Sequence, residues 1–265
     1  MSEAQIGDSL TPEFTPDGVI GRMTLGRTGR IFGGQIASHL VVAAAHEVDT
    51  ATYLPQSIHI SFLAPGDGAQ PVVYRSRILK RGRAFWSVGV DATQAEQVIA
   101  TAIVSFHVVE SSREHEVPVT GLPRVDACHE LTLDEIGGPS PVWEPLSARV
   151  ISVEPDAREP RIRLWLKWRD DLGEDPVRQA AALCWISDLL MIRTMALREP
   201  APFLTRTVSS LDHTLWFHRP LHCDEWFIVD VTSPIRTGAR SLAHARVYDG
   251  TGRHTTSVAQ EGLVR

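Results

Sequence analysis

Pro176-Val-Arg-Gln-Ala-Ala-Ala-Leu-Cys-Trp-Ile-Ser-Asp-Leu-Leu-Met-Ile192 is the stretch whose reading decides the fold. Asp175 stands immediately before it, so a capping side chain is followed by proline at the first helical position, and the segment predicts a helix from 176 to about 193. Between Arg178 and Arg193 the only charged residue is Asp188, and apart from Ser187 the second half of the run is apolar on every side. Such a helix belongs inside a fold rather than on its surface. A carboxylate on it must find hydrogen-bond partners or be neutralised. Asp188 is therefore either a hydrogen-bonded structural acid or a catalytic one.

Strand-like segments follow the helix near 206–218, 225–235, 240–248 and 254–264. The first half of the chain has the same order. Gly33-Gly34 opens the apolar run QIASHLVVAAAHEV, and strands are predicted at 57–65, 71–81, 84–93 and 97–109. Landmarks also keep their spacing. Phe62 to Pro65 and Phe217 to Pro220 are both three residues; Pro65 to Gly82 is 17 and Pro220 to Gly238 is 18; Gly82 to Phe106 and Gly238 to Gly262 are both 24. Agreement of all three intervals points to an internal duplication. A helix too apolar to face water, beside a sheet with one apolar face, implies that each sheet wraps its own helix. The expected fold is α+β, a double hotdog whose two units join side by side through their sheets. The N-terminal unit spans 1–112, the C-terminal unit 146–265, and a Pro-, Gly- and acid-rich connector covers 113–145.

The 265 residues carry a net charge of -6, which argues against a nucleic-acid partner. Cys128, Cys184 and Cys223 form no CxxC pair, and the first residues lack the basic and apolar regions of a secretory signal. No run reaches the roughly 20 apolar residues of a membrane span. A cytoplasmic protein without membrane or nucleic-acid partners is expected.

FGGQIASHL (32–40), HISFLAPGD (59–67), SDLL (187–190), SLDHTLWFHRPL (210–221), DEWFIVDV (224–231) and VAQEGLVR (258–265) together resemble the type II acyl-CoA thioesterases, the TesB-like family. The resemblance runs from about residue 18 to the end and is weakest in the connector. It implies a catalytic trio of Asp188, Ser210 and Gln260, an acyl-CoA substrate, no cofactor or metal, and a homo-oligomer, dimer or tetramer. Asp188 would draw a proton from a water attacking the thioester carbonyl, or would attack directly through an anhydride. Ser210 and Gln260 would hold water and carboxylate in line. The oxyanion needs donors, and the start of the first helix offers free N–H groups at Gly33, Gly34 and Gln35 if the two helices pack antiparallel. On this reading Gly34 is a glycine because a side chain would obstruct the acyl group. Chain-length preference would depend on packing around Trp86, Trp185 and Met191.

The remaining features take ordinary readings. Arg27, Arg30, Lys80, Arg81 and Arg83 are solvated turn residues before they are CoA phosphate ligands. His213, His218 and His222 lie close in sequence, but Pro220 breaks any helical ligand pair, and His213 beside Asp212 reads as holding the start of its strand. Cys184 reads as a small apolar side chain. GRTGRIFGG lacks the GK[ST] ending of a phosphate loop, and no G-x-S-x-G elbow is present. Two rivals stand beside the thioesterase reading: another hotdog enzyme such as an enoyl-CoA hydratase, which needs an Asp/His pair that His46 and Asp49, only three residues apart and without a hydratase segment around them, do not supply, and a non-catalytic acyl-CoA-binding protein.

Overall fold

Asp175 caps the central helix as its sequence predicts: its Oδ1 accepts the Val177 N–H at 2.9 Å. A computed structural model describes residues 8–15, 18–21, 29–132, 140–198 and 208–265. The two α-helices among the described residues are α1 (Gly33–Ala45) and α2 (Pro176–Met195). α1 begins at Phe32 without a side-chain cap and is sustained by its alanine-rich, buried body. The helices pack antiparallel. A Cβ on Gly33 would fall 2.9 Å from Asp188 Oδ2 and one on Gly34 2.6 Å from the Trp185 carbonyl, while Ser38 Oγ lies 2.7 Å from the Ala181 carbonyl. At their crossing the buried Trp185 donates Nε1–H to the Val142 carbonyl at 3.0 Å and meets Phe32 and Trp168 edge-on.

Among the described residues fourteen strands form one antiparallel sheet: β1 (Glu13–Thr15), β2 (Gly18–Gly21), β3 (Tyr53–Phe62), β4 (Val72–Arg81), β5 (Phe85–Gln94), β6 (Gln97–Val108), β7 (His129–Glu130), β8 (Leu146–Glu154), β9 (Arg161–Trp168), β10 (Val208–Ser210), β11 (Asp212–Phe217), β12 (Phe227–Thr237), β13 (Arg240–Tyr248) and β14 (His254–Val264). Their order is β1-β2-β4-β5-β6-β3-β11-β14-β13-β12-β9-β8-β7, with β10 also on β14. The seam is β3 against β11, pairing Ser61 with Asp212 through Ser57 with Trp216. Outward from it run β6, β5, β4 and β2 on one side and β14, β13, β12 and β9 on the other, so the two units are related by a pseudo-twofold axis through the seam.

The register makes this correspondence residue by residue. His59 sits opposite Thr214 at the axis and pairs with Ile103 on the other side, as Thr214 pairs with Ala259. Positions on β3 therefore map to β11 by a shift of 155 (59 to 214), and β6 to β14 by 156 (103 to 259). Phe62/Phe217 and Phe106/Gly262 are equivalent pairs, so the spacings read from the sequence reflect true structural repeats.

Two details depart from expectation. Each helix is preceded by strand, β2 in the first unit and β8–β9 in the second. The alternating Arg161-Ile-Arg-Leu-Trp-Leu-Lys-Trp168 carries the period-two signal of β9. The strand predicted over 206–218 is also broken in two. Ser210 pairs with Gly262, yet Thr214 pairs with Ala259, so four steps on one strand face three on the other. This β-bulge is held by Asp212, whose Oδ1 accepts the Glu261 N–H at 2.8 Å. The first unit has the same slip, between Pro55–Phe106 and Ser57–Ser105.

His39 on α1 ties the N-terminal segment to this core, with Nε2 2.8 Å from the Ser9 carbonyl and Nδ1 3.1 Å from Tyr74 Oη. Burial pushes its pKa down to about 4, partly opposed by the bond to Ser9. An unfolded imidazole titrates near 6.5, so stability present above that pH is lost as pH falls towards about 4, by about 3 kcal/mol in all. Wild-type protein is therefore expected to lose more denaturant resistance across that window than His39→Gln. Parallel pH curves for the two proteins would remove the assignment.

Candidate active site

Asp188 lies thirteen residues into α2 and is 7% exposed. Its partners come from the sheet. Gln260 Nε2 donates to Asp188 Oδ1 at 3.0 Å and to Ser210 Oγ at 2.7 Å, and Ser210 Oγ donates to Asp188 Oδ1 at 3.3 Å. The three residues predicted from the SDLL, SLDH and VAQEG motifs thus form one hydrogen-bonded set. Oδ1 takes both donors and Oδ2 is turned towards Gly33. Gly262, on the same face of β14 two residues beyond Gln260, lets the end of α2 lie against the sheet; a Cβ there would come within 2.5 Å of Ile192 Cδ1.

A cavity of about 340 Å³ opens beside this set. Gly33, Ile36, Phe62, Ile192 and Ser210 line it, with Arg30 among its outer residues. A hydroxyl, a helix N-terminus and apolar walls converge there, and Asp188 Oδ2 stands against Gly33, one of the lining residues. Such a site can orient a water against an electrophilic carbonyl and bind an apolar chain beside it.

The residues predicted as oxyanion donors separate. Gly33 and Gly34 N–H groups have no backbone acceptor among the described residues. Gln35 departs from expectation: its N–H goes to the Phe32 carbonyl at 3.1 Å, and its buried side-chain amide donates to the Ser9 carbonyl at 3.2 Å. Gly34 is a glycine for a different reason from the one predicted. A side chain there would strike the Trp185 carbonyl and the Phe32 ring, so the residue serves helix packing. Gly33 is the one that leaves room at Asp188.

Other candidates lie elsewhere. Arg27 is outside the described residues. Lys80, Arg81 and Arg83 surround the β4–β5 hairpin at the far end of β3, where Tyr53 Oη donates to the Arg83 carbonyl at 3.1 Å and Arg81 covers Trp86. Trp86 therefore stands away from the cavity that it was expected to shape. Cys184 is fully buried, and burial pushes its thiol pKa far up, away from thiolate chemistry. His213 does not hold the strand; Asp212 does that. The buried imidazole turns inward, with Nε2 2.7 Å from Ser187 Oγ, a contact that sequence reasoning missed.

A second cavity, of about 460 Å³, occupies the pseudo-equivalent place in the other unit, between the start of α2, the end of β11 and the start of β3. The catalytic-type residues have no counterpart there. Pro55 stands for Ser210, Val104 for Gln260, and the alanine turn Ala43–Ala45 for the Asp188 turn.

Comparison with known proteins agrees with this geometry. Models of the acyl-CoA thioesterase N-terminal and C-terminal domains match residues 23–107 and 126–264. Acyl-CoA thioesterase 2 of Haemophilus influenzae is 28% identical over 254 residues, covering 89% of this chain and 88% of its own. Acyl-coenzyme A thioesterase 8 of Mus musculus is 27% identical over 258 residues, covering 89% and 80%. Among solved structures, the acyl-CoA thioesterase II TesB2 of Mycobacterium marinum superposes with a TM-score of 0.84 at 28% identity, covering 98% of both chains.

Proposed function

This chain belongs to the acyl-CoA thioesterase family, and from that membership we propose that it hydrolyses fatty acyl-CoA to free fatty acid and CoA. The observation that carries the reading is the hydrogen-bonded Asp188–Ser210–Gln260 set, whose Ser210 lines an apolar-walled cavity. Ser210 and Gln260 engage Oδ1 of Asp188, which leaves Oδ2 to receive a proton from water as its oxygen bonds to the thioester carbon. The carbonyl electrons move onto oxygen, where the free Gly33 and Gly34 N–H groups at the N-terminus of α1 supply donors. Collapse breaks the carbon–sulfur bond, and the proton on Asp188 passes to the departing thiolate. Direct attack by Asp188 is the less supported route. Oδ2 faces Gly33, and Asp188 is not itself among the residues that line the cavity, so a water between Oδ2 and the thioester carbon fits better than direct attack.

Neither rival gains support. His46 packs on Phe14, and Asp49 accepts from Ala51 N–H and Thr52 Oγ, so both serve a turn rather than a hydratase pair. A pure binding role leaves the hydrogen-bonded set without a task.

Free-thiol release from acyl-CoAs of graded chain length tests the proposal. Wild type and Ser210→Thr are expected to hydrolyse at least one of them at rates within several-fold of each other. Ser210→Ala should lose roughly 10- to 100-fold in kcat, the value of a hydrogen bond to a charged group. Acyl-CoA binding without any thiol release would replace the enzyme with the binding protein.

The same proposal includes the units 1–112 and 146–265 joined by 113–145, a cytoplasmic setting, and a homo-oligomer, dimer or tetramer. Leu79, Phe85 and Ile103, half exposed on the outer face of β4–β6, support a partner for that face. Among the described residues no helix is long and apolar enough to cross a membrane.

A further inference from the structure

We infer that His213 is the positioning residue of this site: as a neutral imidazole it donates Nδ1–H to Gln260 Oε1 and thereby fixes which end of the Gln260 amide faces Asp188. The inference rests on the thioesterase reading for its kinetic consequence and on geometry for the bond itself.

Register brings the two side chains together. Thr214 pairs with Ala259, so the preceding β11 residue, His213, lies opposite Gln260 on one face of the ladder, where cross-strand Cβ atoms are roughly 5 Å apart. Ser210 and His213 are three residues apart, and in a regular strand they would point to opposite faces. The bulge held by Asp212 inserts the extra residue that turns both inward. In the first unit the equivalent pair is Ile58 with Val104, both fully buried and apolar. A polar pair occupies this spot only in the unit that carries Asp188.

Hydrogen-bond accounting selects the donor. Gln260 Nε2 is directed at two acceptors, Asp188 Oδ1 and Ser210 Oγ, so its two protons are committed. Gln260 Oε1 and His213 Nδ1, on facing residues of the ladder, are both buried without a hydrogen-bond partner. A proton on Nδ1 satisfies both atoms at once. The same tautomer makes Nε2 the acceptor for the single Ser187 hydroxyl proton at 2.7 Å, the shorter of its two contacts, in preference to the Cys184 carbonyl at 3.1 Å. The opposite tautomer would invite Gln260 to turn its oxygen towards the Asp188 carboxylate. Burial lowers the His213 pKa, with Asp188, Gln260 and Asp212 opposing, which favours the neutral ring. The relay therefore runs from Ser187, next to Asp188 on α2, through His213 and Gln260 back to Asp188.

Two substitutions separate the ring nitrogens. Asparagine at 213 can place an N–H where Nδ1 stands, whereas glutamine reaches the Nε2 position and the Ser187 hydroxyl. His213→Gln is expected to lose roughly 10- to 100-fold in kcat with KM within about twofold, the effect of a misplaced catalytic group. His213→Asn should recover kcat to within several-fold of wild type. Equal losses in both variants would assign His213 to packing alone and overturn the inference. Nitrogen-15 NMR of the wild-type imidazole reads the bond without turnover: a protonated Nδ1 coupled to a bare Nε2 is expected, and the reverse pattern overturns it even if a variant fails to fold. Failure of wild type to release any thiol would sink the thioesterase reading while the NMR result still stands or falls separately.

Discussion

Asp188→Asn is expected to lower thioester hydrolysis by roughly 10²- to 10⁴-fold, the range for a lost general base, with little change in thermal stability. The geometry explains why activity and stability should part company. The asparagine oxygen can take the Oδ1 position and accept from both Ser210 and Gln260, so the hydrogen-bonded set survives. What disappears is the basic Oδ2 beside Gly33. Thiol-release kinetics together with a thermal melt check the expectation. A near-wild-type rate would remove Asp188 from the chemistry, whereas a large fall in melting temperature would return it to the class of structural acids. Loss of rate with an intact fold places Asp188 in the chemistry.

Gly34→Val should produce the largest loss of stability, about 3 kcal/mol, or on the order of 6–12 °C in melting temperature. The added Cβ would lie 2.6 Å from the Trp185 carbonyl and 2.5 Å from the Phe32 ring. The carbonyl belongs to the α2 backbone and cannot swing aside, so the helices must move apart. Turnover should fall with the fold, because the helix crossing sets the distance from Gly33 to Asp188. Gly33→Ala is the contrasting change: its Cβ meets the Asp188 carboxylate at 2.9 Å, and it should cost activity at nearly unchanged stability. Chemical denaturation and thiol release on both variants separate the two glycines. Equal effects on both readouts in both variants would show that packing and site room are not divided between them.

Much of this architecture was legible in the sequence because its signals are local. Asp175-Pro176 marks the start of α2, and the apolar run after it announces burial. Strand periodicity reveals the four strands following each helix, and conserved intervals between Phe, Pro and Gly landmarks reveal the repeat. The Asp188, Ser210 and Gln260 trio came from motif resemblance; their convergence depends on a register that no local pattern encodes. The break between β10 and β11 depends on one side-chain bond, Asp212 to the Glu261 amide, across 49 residues of chain. The role of Gly34 was misread for the same reason: its neighbour, the Trp185 carbonyl, is fixed only once the helices cross. The inward turn of His213 needs the bulge, and the bulge needs both strands. The alternation in β9 was a local signal that reading by analogy with the first half overlooked, since β2 is only four residues long.

The unequal pseudo-equivalent positions carry a consequence for the energetics of the whole molecule. Two identical chains related by an exact twofold would have to bury a carboxylate, an amide, a hydroxyl and an imidazole twice, with the desolvation penalty incurred at both places. Tandem linkage lifts that constraint, because each half can be altered without altering the other. Here the polar constellation is kept once, while apolar Pro55, Ile58 and Val104 stand at the mirror positions beside the second cavity. Asymmetry thus confines these buried polar groups to one half, while both halves contribute to the one main hydrophobic core.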